Sequence, residues 1–472
     1  MVSKDWEIVI GIEIHLELNT KTKMFSPIKN DFLSKPNENV SNIDIAYPGS
    51  LPLLNKQAVI KAIKLAKALN MEIDQLVRFD RKNYFYPDLT KGFQITQQFH
   101  PIGKNGSIKI KVDKEWKDIS IQRIHLEEDT AKSIHENNLT YLNYNRAGVP
   151  LIEIVSNPVM HSAKEAAAYV EAIRETALCL DISDAKMNEG SLRTDINLSV
   201  RKKGTNDMNT RVEIKNLNSL SNVQKAIEYE SNYQIECYLN NKPILQQTKR
   251  FDEATQKTVV MRTKSNVIDY KYFPGINIAY IFLTDKVIND INIEELPYDK
   301  EIRYEKLGLN NVQIPQLLGN IEYALYLDKI NYFDFKKSAN IFFSEIVTYL
   351  NNNKIEIKEF NLRPDEVKMI ITYLSEGKII KSSIQKIIDL KQLNKNETLD
   401  SLILKNNLLE EQKQISVDEI IDQILKDNPT LINEFKNNYD RAIKFMLGQF
   451  MKATQGKGDK IKFQKAIEEK IK

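Results

Sequence analysis

The sequence predicts an α+β protein: a strand-rich first part followed by an all-helical remainder. Three observations point there. Ile8 to Leu18 alternates apolar and polar residues strictly, as a half-buried strand does. Segments beginning at Asn55 and Ser162 carry apolar stripes at helical spacing. Strands and helices do not follow a βαβ order, and strand signals fade after the turn Leu296-Pro297-Tyr298, which argues against a doubly wound parallel sheet.

In chain order, the first strand places Ile8, Ile10, Ile12, Ile14, Leu16 and Leu18 on one face. Glu7, Val9, Gly11, Glu13, His15 and Glu17 lie on the other. A helix over Asn55 to Asn70 takes Asn55 as N-cap and turns Val59, Ala62, Ile63, Ala66 and Leu69 inward. Ile119 to Leu126 and Val149 to Ser156 read as strands. A second helix opens at Ser162, with Glu165 at capping-box spacing, and its stripe runs Ala166, Tyr169, Val170, Ile173, Ala177, Leu180. Leu192 to Arg201 and Thr210 to Lys215 are further strands. Beyond Pro297 the helical patches are Ser338 to Leu350, Arg363 to Leu374 and Ser383 to Leu393. Polar Asn394-Lys395-Asn396-Glu397 reads as a linker before a last helical piece. The expected domains are 1–295, 296–398 and 399–472, in keeping with roughly 150 residues per domain for a chain of 472.

Composition narrows the function. With 42% hydrophobic and 28% charged residues the chain is an ordinary globular protein. Its 67 basic and 64 acidic residues give a net charge of only +3, so any nucleic-acid contact needs a local patch. Residues 439–472 offer one: Arg441 and eight lysines face four acidic residues, a net +5 that leaves −2 for the rest. Lys452, Lys457 and Lys460 surround glycines that let the backbone approach a phosphate. A solvated lysine-rich tail is the competing reading. Two cysteines, Cys179 and Cys237, exclude a disulfide framework and a Cys-rich zinc site, and both read as structural. With no credible Ser or Cys nucleophile, the chain should not hydrolyse amides itself. Neither a Gly-x-x-x-x-Gly-Lys-Ser/Thr loop nor a Gly-x-Gly-x-x-Gly loop occurs. No stretch reaches the ~18 apolar residues of a membrane span, and the N-terminus lacks a signal-peptide run, so the expected compartment is the cytoplasm, with no membrane partner.

The chemistry gathers on the strands. Glu13, His15 and Glu17 share a face, as do Arg193, Asp195, Asn197, Ser199 and Arg201, and Arg211, Glu213 and Lys215. Leu126-Glu127-Glu128-Asp129 and Leu151-Ile152-Glu153-Ile154-Val155 set carboxylates into apolar runs. Carboxylates suit a hard divalent cation, and Mg²⁺ takes one or two of them together with phosphates. Guanidinium and ammonium groups neutralise phosphates directly. This is the mixture a site needs to activate a carboxyl group with ATP. A solvated face crossed by ion pairs has the same alternation, but Glu153 inside Val-Pro-Leu-Ile-Glu-Ile-Val demands a partner.

Several stretches together resemble the B subunit of the heterotrimeric tRNA-dependent amidotransferase. They are Val9 to His15, Asn83 to Leu89, Arg123 to Asp129, Asn145 to Ser156, Met187 to Arg201 and Gly448 to Lys457. The resemblance covers essentially the whole chain. It implies a cradle-like domain with a mixed or antiparallel sheet, then a helical domain, then a helical tail that holds tRNA. It implies ATP-dependent activation of the carboxylate of misacylated Glu-tRNA(Gln) or Asp-tRNA(Asn), then amidation by ammonia channelled from a glutaminase A subunit, with a small C subunit tying the two together. Carried over by motif, the Mg²⁺ and catalytic positions fall on Glu13, His15, Glu128, Glu153 and Asp195. Arg193, Arg201, Arg211 and Lys215 are the expected ATP-phosphate contacts, and Lys452, Lys457 and Lys460 the tRNA contacts. A non-catalytic tRNA-binding scaffold of the same fold is the alternative.

The chain departs from the resemblance in three places. Phe25-Ser26-Pro27 and the residues after it lack the cysteine set that holds zinc in many relatives, so no zinc is expected. Tyr270-Lys271-Tyr272-Phe273-Pro274-Gly275-Ile276-Asn277 replaces an acidic Pro-rich stretch after the aromatic core. Asn157 and Val159 stand where an acidic pair flanks proline.

Overall fold

In the computed structural model, residues 5–263, 270–409, 417–429, 431, 435, 439–453 and 460–471 are described. The chain forms two compact units, one through Phe343 and one from Ser344.

The first unit is built on nine strands. They are β1 (Trp6–Glu17), β2 (Glu72–Ile73), β6 (Gly103–Val112), β7 (Glu115–Glu128), β10 (Pro150–Ser156), β11 (Leu192–Lys202), β12 (Val212–Lys215), β13 (Gln247–Asp252) and β14 (Lys257–Thr263). Their spatial order is β14-β13-β12-β11-β1-β10-β7-β6-β2. Every neighbouring pair is antiparallel except β12 and β13. The predicted α+β class holds. The first strand sits at the centre of the sheet, where its even-numbered isoleucines and leucines are at most 5% exposed.

Three helices complete that core: α1 (Lys56–Ala68), α2 (Ala163–Cys179) and α3 (Leu220–Leu239). Their apolar stripes, including Val59, Ile63, Tyr169, Ile173, Val223 and Ile227, join the isoleucine face of the sheet in one cluster. Asn55 caps α1 as predicted, its side chain accepting from the amides of Gln57 and Ala58. Ser162 accepts from the Glu165 amide. Glu165, however, returns its carboxylate to the amide of His161, one residue before the cap, at 2.7 Å, so only half of the capping box forms. Cys237, placed by periodicity after a helical run, lies inside α3, and both cysteines are buried and free.

The opposite face of the sheet keeps its polar side chains. A small sheet stands beside it, ordered β15-β4-β5, from β4 (Asp80–Asn83), β5 (Phe93–Thr96) and β15 (Phe273–Pro274). It brings together the Asn83 to Leu89 motif and the divergent Tyr270 to Asn277 stretch: the Asn83 amide donates to the Tyr270 carbonyl at 2.9 Å. Two further antiparallel pairs join β3 (Leu76–Val77) to β16 (Ile281–Phe282) and β8 (Lys132–Glu136) to β9 (Leu139–Asn143). The loop after β1 closes around Lys23, whose ammonium donates to the carbonyls of Asn39 (2.8 Å) and Tyr144 (3.2 Å) and pairs with Asp44.

No strand follows Phe282 among the described residues. The helix predicted over Ser338 to Leu350 is interrupted: Phe335–Ile341 and Thr348–Asn353 are α-helical, with a π-helical turn at Phe342–Val347 between them. Pro364–Ser375 and Ser383–Leu393 match their predicted spans. In the second unit, helices Val417–Asp427, Tyr439–Ala453 and Lys460–Ile471 pack through Ile421, Met446, Phe450 and Phe463. No described helix is long and apolar enough to cross a membrane.

Candidate active site

Antiparallel registry converts sequence alternation into a row of chemistry. His15 on β1 lies opposite Glu153 on β10, and Glu153 opposite His125 on β7. On the other side of β1, His15 faces Arg193 and Glu13 faces Asp195 on β11. All of these side chains stand on the polar face, away from the helices.

Two imidazoles and two carboxylates form a closed set at the centre. His15 Nε2 lies 3.4 Å from Glu127 and 3.5 Å from Glu153. His125 Nε2 lies 3.2 Å from Glu153 and 3.7 Å from Glu127. Burial alone would lower both imidazoles. Hydrogen bonding and the charge of Glu153, with Glu127 beside it, outweigh burial and raise each to about 9. Glu153 moves oppositely: burial would raise it, but the two imidazoles hold it well below the usual carboxylate range. Positive charge on the imidazoles thus offsets carboxylates that burial would otherwise penalise, and a cation ligated by His15 would take the place of its proton.

A second carboxylate set adjoins the first. One donor atom each from Glu13, Asp195 and Glu213 lies within 4.8 Å of the others, and the same is true of His15, Glu127 and Glu153. Asn197 donates to Glu13 at 3.0 Å. Lys215 bonds Asp195 and lies 3.1 Å from Glu213. Burial, then repulsion by Glu153 and Asp195, raises Glu13. Such crowding of like charges is relieved by protonation or by a cation. Hard oxygen donors with a single imidazole fit Mg²⁺ or Mn²⁺ better than a thiophilic metal.

The expected residues are not all brought together. Glu13, His15, Glu153, Asp195, Arg193 and Lys215 meet on the polar face. Glu128 does not. Consecutive residues of a strand project oppositely, so Glu127 faces His15, and Glu128, the position carried over by motif, faces the other side. There Glu128 is 3% exposed, pairs with Lys91 at 2.5 Å and accepts from the Ile95 amide at 3.1 Å. Arg193 donates to Asp129 at 2.8 Å, which holds its guanidinium beside the cluster. Arg201 also stands apart. It is eight residues further along β11, roughly 26 Å away at strand rise, and binds Glu7 at 2.7 Å. Arg211 is exposed just before β12. Lys452 is exposed on its helix; Lys457 lies outside the described residues, and Lys460 opens the last helix.

Sequence reading left Glu127 unassigned within its carboxylate run and did not single out His125 or Lys82. Lys82 on β4 is within electrostatic reach of the cluster: burial would lower it, but the charges of Glu127, Tyr272 and Glu153 raise it. Its ammonium lies 4.8 Å from the centre of the Tyr270 ring, and Tyr84 and Tyr272 flank that ring. No signal marked it, because β4 is four residues long and paired across the chain. Asn157, at the former acidic position, ties β10 to β7 by bonding the backbone and hydroxyl of Ser120, both at 3.0 Å.

Paired carboxylates and cationic side chains on one sheet face are chemistry that can hold a divalent cation together with phosphoryl or carboxyl groups. Comparison with known proteins is more specific. Residues 8–289 match the family model described as GatB/GatE catalytic domain, and residues 326–471 the model described as GatB domain. The chain belongs to the GatB/GatE family. It is similar to proteins named as the B subunit of aspartyl/glutamyl-tRNA(Asn/Gln) amidotransferase. The one from Mycoplasmopsis agalactiae is 51% identical over 96% of each chain. That from Mycoplasmopsis synoviae is 46% identical over 96% of this chain and 95% of its own. That from Lysinibacillus sphaericus is 39% identical over 99% of each.

Proposed function

We propose that this chain is the carboxylate-activating and amidating subunit of a tRNA-dependent amidotransferase. Its substrates are misacylated Glu-tRNA(Gln) or Asp-tRNA(Asn), ATP and ammonia. The observation that carries the reading is the pair of donor triads, His15, Glu127, Glu153 and Glu13, Asp195, Glu213, side by side on one sheet face.

The triads would hold Mg²⁺, which supplies positive charge to the ATP phosphates when bound. Arg193 and Lys215, each fixed on a carboxylate at the edge of the cluster, orient the phosphates; Lys82 on the facing wall adds charge where it develops. A side-chain carboxylate oxygen of the aminoacyl group attacks the γ-phosphorus and ADP leaves. Ammonia then attacks the acyl carbon and phosphate leaves. The rigid sheet supplies position, which phosphoryl transfer chiefly requires. Ammonia comes from a glutaminase A subunit, and a small C subunit completes the cytoplasmic complex. Within the chain, 1–295 serve the chemistry and 296–398 and 399–472 the tRNA, with Lys452, Lys457 and Lys460 as phosphate contacts.

The test is a pair of variants in the reconstituted complex, Glu127→Gln and His15→Ala. Both should abolish amidation while the partner's glutamine hydrolysis persists, and both should weaken Mn²⁺ binding measured by paramagnetic resonance. Melting curves check that the fold survives. An active Glu127→Gln complex with unchanged Mn²⁺ binding refutes the assignment.

A further inference from the structure

The β15-β4-β5 sheet has a second face. Alternation turns Lys82 toward the cluster, so Arg81 projects the other way. Its cross-strand neighbours are Ile95 on β5 and Phe273 on β15. Its guanidinium carbon lies 4.2 Å from the centre of the Phe93 ring and 5.7 Å from that of Phe273. Two aromatic faces hold the guanidinium plane and leave its N–H edges available. Among the described residues, no carboxylate or hydrogen-bond acceptor meets those edges.

Arg81 lines a cavity of about 250 Å³ together with Lys91, Phe93, Tyr47, Pro48 and Ile278. Lys91 is already neutralised by Glu128. The cavity therefore carries one unopposed positive charge, on a wall otherwise mostly apolar. A cation partly withdrawn from water without a counter-charge is costly, and an incoming anion removes that cost.

We propose that this cavity binds a small oxyanion, a carboxylate or phosphate monoester, with a planar or apolar body. Arg81 grips the oxyanion with two parallel hydrogen bonds, and the body rests against Phe93 and Ile278. The volume falls below the ~300 Å³ at which drug-sized pockets begin, so the ligand is metabolite-sized. The site is distinct from the catalytic face, because Arg81 and Lys82 leave β4 on opposite sides.

Calorimetric titration of the full chain tests this with four probes at matched ionic strength: benzoate, phenyl phosphate, inorganic phosphate and neutral benzyl alcohol. Benzoate or phenyl phosphate should bind saturably and benzyl alcohol should not; which anion is tighter identifies the oxyanion. Arg81→Met, which keeps the stacked length, should weaken binding about tenfold or more. Arg81→Lys, which keeps the charge and loses the fork, should fall between. Arg363→Met, an exposed arginine of the second unit, should bind as the wild type does. Equal affinity in wild type and Arg81→Met overturns the proposal. So does an equal loss of binding in Arg363→Met, or no saturable binding of either anion to the wild type.

Discussion

Replacing Glu175 with glutamine should stabilise the protein in mildly alkaline solution and leave it nearly unchanged in acid. Glu175 sits on α2, facing a groove it shares with Glu171, Trp116, Tyr298 and Glu301. Burial, then the charges of Glu171 and Glu301, push its carboxyl up to about 8 from an ordinary 4.5. Arg174 pulls the other way, but its guanidinium is held on Glu171 at 2.9 Å. The unfolded chain releases this proton near 4.5 and the folded chain near 8, so the folded state binds more protons between those values. Stability is therefore highest below the lower value and falls as pH rises through the upper one. Full linkage over that window would approach 5 kcal/mol at about 1.4 kcal/mol per unit; partial access of water brings the expected cost to on the order of 2 kcal/mol. Glutamine keeps the shape and removes the ionisation. Melting of wild type and Glu175→Gln, at a pH below the window and at one above it, checks this. The variant should gain a few degrees only above the window. An equal difference at both values, or a variant less stable in alkali, refutes the reasoning.

Two further outcomes follow from buried lysines. Lys249 lies 2.9 and 3.0 Å from the oxygens of Glu230, with side-chain exposures of 6% and 0%. Lys249→Met should cost about 3–5 kcal/mol because it strands a buried carboxylate, and adding Glu230→Gln should recover most of that; denaturant melts giving the same loss for single and double variants would contradict it. Lys23→Met removes the ammonium that gathers Asn39, Asp44 and Tyr144, so protease cleavage within residues 19–54 should accelerate several-fold relative to the rest of the chain; unchanged cleavage would show that the loop is held otherwise.

What could be read from the sequence depended on the range of the interactions. The central strand was legible because one run of alternating residues is buried on one face along its whole length. The helices α1 and α2 were legible because capping and an apolar stripe are local. Segments of two to four residues, such as β4, β5 and β15, exist only through pairing with distant strands, and periodicity has nothing to measure over so few positions. Lys82 and Arg81, which give the small sheet its two chemical faces, were invisible for that reason.

Glu127 went unassigned for a different reason, since its strand was predicted. On β7 the fully buried residues are Ile119 and Ile121, then Ile124 and Leu126. The inward set changes from odd to even numbers within one strand. The cause lies where the register against β10 slips by one residue, between Val155 and Ser156, opposite Ile121 to Arg123, with Gln122 exposed there. Counting from Ile119 or Ile121 puts Glu127 on the core face; counting from Ile124 and Leu126 puts Glu128 there and turns Glu127 to the polar side. Only the second count describes the end of the strand that carries the chemistry. Periodicity read from the nearest apolar pair would have resolved the ambiguous Glu127-Glu128-Asp129 run, and the same count brings in His125. The bulge thus does more than spoil a pattern. Without the extra residue, the stretch Arg123 to Glu127 would turn over, and apolar Ile124 and Leu126, not His125 and Glu127, would stand beside His15 and Glu153.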